Sequence, residues 1–190
     1  HTSGTYGYLG YALIDSDKET TQTLVIPSGC DLTMVNMDVW SSVKIVVEKG
    51  AKLSLHDSVV EGIIEVQDGA TFSMNYDSFN EKFLTGASIC GQVRLLDGSI
   101  LESSMIYSHS NYLANGEEVR YRSEPVVSAS GNVTVKGQVF IRGDEGVSSE
   151  EFPGQAGLSV TNGTLTLADG AVLAVYGGGN SSLTLYGGDA

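Results

Sequence analysis

The chain has 190 residues, enough for one domain with a sizeable core, and sets 10 Lys plus Arg against 23 Asp plus Glu, a formal charge of −13. Phosphate backbones and anionic membrane surfaces repel such a protein, which argues against nucleic-acid partners, and no apolar window reaches the length of a spanning helix, so membrane insertion is not expected. With 24 Gly, 3 Pro and 2 Cys, and with Ser and β-branched residues throughout, the composition favours strands joined by tight turns.

Residues 1–23 read as an N-terminal cap or linker. The stretch TYGYLGYALID lacks the repeat that follows it. Tyr6, Tyr8, Leu9 and Tyr11 suit a cover for the open end of a stack of strands, and an aromatic ligand strip is the competing use of the same residues.

From Leu24 to Ala190 a unit recurs in which two apolar residues spaced by two precede a Gly and two more follow it. The preceding pairs are Leu24/Ile26, Ile45/Val47, Ile64/Val66, Val93/Leu95 and Leu165/Leu167, before Gly29, Gly50, Gly69, Gly98 and Gly170. The following pairs are Leu32/Met34, Leu53/Leu55, Phe72/Met74 and Leu173/Val175, while Gly98 keeps only Leu101, with Ser103 in the second place. Each unit is a period-two strand, a Gly turn and a second period-two strand, with the residue between the second pair pointing outward. Asp68, Asp97 and Asp169 precede the turn glycines and read first as turn-formers.

The first three glycines lie 21 and 19 residues apart, with short apolar stretches Val39-Trp40 and Val59-Val60 between units. Three short faces in about 20 residues is the pattern of a β-solenoid; a sandwich is the competing arrangement. The chain then departs from strict spacing at three insertions, 76–86, 108–125 and 143–157, which in a solenoid project from one corner. From Leu158 the pairs Leu158/Val160, Leu165/Leu167, Leu173/Val175 and Leu183/Leu185 continue the stack to about seven coils. In this register Cys30 and Cys90 fall about three layers apart, roughly 14 Å at the usual strand spacing, so the expectation is two buried thiols and no disulfide. With three His and no CxxC there is no ligand set for a metal.

The units IVVEKGAKLSL (45–55), IEVQDGATFSM (64–74) and LTLADGAVLAV (165–175) resemble the right-handed parallel β-helix segments of cell-surface and adhesin-like proteins of Gram-positive bacteria. The resemblance implies an all-β, right-handed parallel β-helix within a larger multi-domain protein, secreted or displayed on the cell surface, acting as a stalk or presenting loops to a glycan or host-surface ligand without a cofactor.

Parallel β-helices also host polysaccharide lyases and hydrolases, which need carboxylates set across a bound sugar. The NTD, DD, GHG and RIK signatures of polygalacturonase-like enzymes are absent. The nearest lyase-like set is Asp57, Asp68 and Asp77 with Arg94, three of them at or near corners. His56 and His109 have no Ser or Cys at a recognisable spacing. Arg142-Gly143-Asp144 matches an integrin-type tripeptide, which any Gly-Asp corner also produces, and the ending YGGGN…LYGGD is a partial match to a calcium-binding Gly-rich repeat. The sequence therefore reads as a non-catalytic surface module with no metal site. The alternative is a carbohydrate-active or glycan-binding β-helix whose ligand-binding residues are Tyr107, Tyr112, Arg120, Tyr121 and Arg122, in and beside the second insertion. A lid over a corner is the plainer use of that insertion.

Overall fold

The computed structural model describes residues 4–7, 22–75, 88–108, 124–144, 154–178 and 182–187. All regular structure among them is strand. After β1 (Gly4–Gly7) come β2 (Gln22–Ile26), β3 (Asp31–Val35) and β4 (Asp38–Val39), then β5 (Val43–Val47), β6 (Lys52–His56) and β7 (Val59–Val60). Next are β8 (Ile63–Val66), β9 (Thr71–Asn75), β10 (Ser88–Ile89), β11 (Gln92–Leu95) and β12 (Ile100–Tyr107). The series ends with β13 (Val127–Ser130), β14 (Val133–Arg142), β15 (Leu158–Thr161), β16 (Leu165–Leu167), β17 (Val172–Tyr176) and β18 (Ser182–Tyr186).

The strands fall into three parallel ladders that the chain visits in turn. A six-stranded sheet runs β2-β5-β8-β11-β13-β15. The second ladder runs β1-β3-β6-β9-β12-β14-β16, using the first halves of β12 and β14. The third runs β4-β7-β10, then the second halves of β12 and β14, then β17. Because β12 and β14 pass unbroken from the second ladder into the third, these two form one 12-stranded sheet.

The Gly-centred alignment predicts the in-register partners. Leu24, Ile45 and Ile64 are successive partners in the first ladder, as are Leu32, Leu53 and Phe72 in the second. Their inward side chains build one core, in which Ile45, Leu53, Leu55, Ile64, Phe72 and Met74 are fully buried. Strict alternation puts one apolar residue in two on the inside.

The corners explain the departures from alternation. At the first corner Gly29, Gly50, Gly69, Gly98 and Gly131 all have φ between 65° and 92°, a region costly for a residue with a Cβ. At the second corner the left-handed residue is Asn36, Asp57, Ser103 or Gly137. The next residue in two of these is a buried serine that serves the backbone. Ser58 Oγ accepts from the Met37 N–H at 3.1 Å and donates to the His56 carbonyl at 2.8 Å. Ser104 Oγ accepts from the Met74 N–H at 3.1 Å and donates to the Glu102 carbonyl at 2.8 Å. A polar pair that reads as loop in the sequence is thus a core corner with its hydrogen bonds satisfied.

Four expectations change. The strands flanking Gly170 do not occupy the ladders of the other units: β16 pairs with the first half of β14 and β17 with its second half. The DGA turn there lies at the second corner, and Asn162, at φ 56°, with Gly163 makes the first. Secondly, β18 pairs antiparallel with β17, so Leu183/Leu185 fold back and the first sheet stops at six strands instead of about seven. Thirdly, the insertions do not share one corner. Residues 76–87 leave from β9 at the second corner, whereas 109–123 and 145–153 leave from the far end of the third ladder. Finally, Cys30 and Cys90 are thiols, as expected, but half-buried, at different corners of the first and third rounds. Of the proposed cap, β1 joins the second ladder, and Tyr8, Leu9 and Tyr11 lie outside the described residues.

Candidate functional site

Of the expected ligand-binding residues, Tyr107 ends β12, while Tyr112, Arg120, Tyr121 and Arg122 lie outside the described residues. The corner explains why Tyr107 faces out. Leu101 points inward, and unbroken alternation would carry 103, 105 and 107 inward too. Ser103 turns at φ 32° and the register slips between Glu102 and Ser104, so that Ser104 and Ile106 are buried and Met105 and Tyr107 face solvent. A bulge here re-aims the side chains that follow it. On β14 the same corner is Gly137, whose added Cβ would lie 2.2 Å from Ser103 Oγ. Ile141 is buried beyond it, leaving Phe140 and Arg142 on the outer face.

These outward residues align across three layers. Tyr107, Arg142 and Tyr176 are register partners, as are Met105, Phe140 and Ala174. Phe140 leans into the neighbouring row: its ring centroid lies 5.4 Å from Tyr107 and 4.9 Å from Tyr176, with interplanar angles of 38° and 32°. Met105 and Tyr176 are 39% and 37% exposed. The result is a run of tilted aromatic rings along the direction of stacking, with an arginine on the same row. Tyr107 and Phe140 are half-buried, so the strip presents part of each ring to solvent. Tyr and Phe offer flat, rigid faces at low entropic cost, and Tyr and Arg add directed hydrogen bonds.

The strip borders the corner from which two insertions depart, and Gln155 ties that corner together. Its amide, 5% exposed, donates to the Glu124 carbonyl at 2.9 Å, and its Oε1 accepts from Ser108 Oγ at 2.5 Å. Its backbone N–H donates to the Asp144 carbonyl at 2.9 Å, and its carbonyl accepts from the Gly178 N–H at 2.7 Å. One buried residue therefore fixes both ends of 109–123 and the start of 145–153. The Arg142-Gly143-Asp144 tripeptide lies here, and its glycine has a packing reason: an added Cβ would sit 2.0 Å from the Gln155 carbonyl oxygen.

The described members of the lyase-like set, Asp57, Asp68 and Arg94, lie at three different places in the fold. Asp57 occupies the second corner with φ 48°. Asp68 lies at the first corner, 2.5 Å from Lys49 Nζ, whose ammonium its hydrogen bond and charge hold above the ordinary lysine range. Arg94 lies on the first sheet; its Nε donates to Gln92 Oε1 at 2.6 Å, and its Nη2 is 3.8 Å from Glu124 Oε2. Asp77 and His109 lie outside the described residues. Among the described residues no three His, Cys, Asp or Glu side chains cluster to hold a metal ion.

Comparison with protein-family models, curated proteins and solved structures finds no match for this chain.

Proposed function

We propose that the chain is a right-handed parallel β-helix that serves as a non-catalytic surface module and binds glycans on its third ladder. The observation carrying this reading is the outward strip in which Phe140 bridges Tyr107 and Tyr176 of the adjacent row by two ring-to-ring contacts. Successive strands are about 4.8 Å apart, a spacing comparable to the length of one sugar ring, so a saccharide chain lying along the stack meets an aromatic side chain at each layer. Arg142, on the Tyr107 row, supplies donors for hydroxyl or carboxylate groups. The repeated three-ladder path supports the β-helix, and the resemblance of the 45–55, 64–74 and 165–175 units to Gram-positive surface proteins supports an extracellular setting within a larger protein.

The test is binding to an array of neutral and uronate polysaccharides, with product formation followed in parallel. Binding that falls about tenfold or more in Tyr176→Ala and Phe140→Ala, and survives in Asp68→Asn, is the expected result. Turnover of any glycan, or binding indifferent to both aromatic substitutions, overturns it.

A further inference from the structure

The chain has four methionines, and three of them belong to the core. Met74 is fully buried and Met34 and Met37 are 8% exposed, whereas Met105 is 39% exposed. The second corner is what puts Met105 outside. Unbroken alternation from Leu101 would send residue 105 inward, as Met34 and Met74 point in their own layers. The left-handed turn at Ser103 and the register slip after Glu102 reverse the sense, so that Ser104 and Ile106 are buried on either side of it. A thioether that the repeat would hide is thereby set in solvent.

Met105 also stands within the aromatic strip. It is the register partner of Phe140 and lies two residues before Tyr107 on the outer face of β12, and Phe140 carries the ring contacts to Tyr107 and Tyr176. Neighbouring strands are about 4.8 Å apart, so side chains at the positions of Met105 and Phe140 are within reach of a favourable sulfur–aromatic contact.

A methionine side chain is apolar and adaptable until its sulfur is oxidised, after which it is polar. The sulfur lone pair attacks one oxygen of hydrogen peroxide. The S–O bond forms as the O–O bond breaks, the proton on the transferred oxygen passes to the departing hydroxide, and water leaves; the sulfur is oxidised by two electrons and the peroxide reduced by two. The reaction needs a sulfur that peroxide can reach, and the layers packed on Met34, Met37 and Met74 shield theirs. From these observations we infer that Met105 is a site of selective oxidation by peroxide, and that its sulfoxide weakens ligand binding on the strip by setting a hydrated acceptor beside the rings of Phe140 and Tyr107. The effect on binding rests on the glycan reading above; the selectivity rests on burial alone.

The folded chain, treated with dilute hydrogen peroxide and quenched, is divided between peptide mapping by mass spectrometry and the array of neutral and uronate polysaccharides, with Met105→Leu treated in parallel. Each chain is compared with its own untreated form. Because Cys30 and Cys90 are thiols in both, the difference between the two chains reports Met105. The map is expected to show sulfoxide at Met105 while Met34, Met37 and Met74 remain thioethers. Wild type should lose about two- to tenfold in binding, the range of a sulfur–aromatic contact, and regain it with methionine sulfoxide reductases, while Met105→Leu loses none on treatment. An unfolding midpoint unchanged by peroxide ties the loss to the strip rather than to unfolding. Sulfoxide that forms as readily at a core methionine overturns the selectivity, and equal losses in the two chains overturn the effect on binding. Untreated wild type that binds no polysaccharide defeats the glycan reading and the effect on binding with it, and the peptide map then decides the oxidation site by itself.

Discussion

Lys52 Nζ lies 2.9 Å from Glu102 Oε2, although their strands are not neighbours: β9 runs between β6 and β12. The ion pair bridges a whole layer, tying the second round to the fourth. The Glu102 hydrogen bond chiefly holds the Lys52 ammonium above the ordinary lysine range, against a lowering by partial burial. A raised folded-state value means that the pair's contribution is fully present below the unfolded lysine value of about 10.4 and is lost as pH rises through the folded one. With side chains 40% and 33% exposed, the pair contributes under about 1 kcal/mol. The stability gap between wild type and Lys52→Met, measured by urea unfolding, should stay flat from neutral pH to about pH 9 and close above about pH 10.5.

Leu55→Ala should cost about 2 to 5 kcal/mol, because Leu55 is fully buried and its layer cannot close without breaking register with Met34 and Met74. Alternation alone makes Ser54→Ala nearly neutral. The structure revises that expectation: outward Ser54 is only 8% exposed and accepts a hydrogen bond from Ser73 Oγ at 2.9 Å. The variant should lose about 1 kcal/mol or somewhat more. Urea midpoints ordered wild type, Ser54→Ala, Leu55→Ala check both.

Ser99 follows the turn glycine Gly98, at the place that Ala51 and Ala70 hold after Gly50 and Gly69. It is fully buried, and its hydroxyl has no hydrogen-bond partner among the described residues. Removing a desolvated, unpaired hydroxyl relieves a penalty of about 1 to 3 kcal/mol. Ser99→Ala should therefore raise the thermal midpoint, and a lowered midpoint would show that the hydroxyl is satisfied.

Gly137→Ala meets two obstacles, a φ of 64° and a Cβ that would fall 2.2 Å from Ser103 Oγ. The left-handed conformation alone costs about 1 to 2 kcal/mol. Because Ser103 is itself the left-handed residue of its layer, it has little room to withdraw. Ser103→Gly should recover part of the loss in the double variant, as a double-mutant cycle would show.

What the sequence discloses is local. The strand–Gly–strand unit specifies which residues face inward, and Ile45, Leu53, Phe72 and Leu173 are where it puts them. It does not specify which corner a turn occupies, since a Gly with positive φ between two period-two strands serves at the first corner in Gly50 and at the second in Gly170. Only the count of intervening strands decides, and insertions hide that count. The aromatic row is illegible for the same reason. Tyr107, Arg142 and Tyr176 stand nine, eleven and six residues after Gly98, Gly131 and Gly170, so no fixed offset reveals that they share a row. The buried corner serines are hidden differently: Asp57-Ser58 and Ser103-Ser104 have turn composition, and only the left-handed residue before each serine turns it inward.

Holding the ends of 109–123 with Gln155 separates the length of that stretch from the stability of the layers. Ser108 and Glu124 are tied to the same buried amide, so the chain leaves and returns at one anchored point. Closure entropy grows slowly with the length of chain between fixed ends, by about 0.6 kcal/mol per doubling. Added length between Ser108 and Glu124 is therefore expected to leave the strands on either side with their partners. Evolution and the protein engineer have the same port open to them.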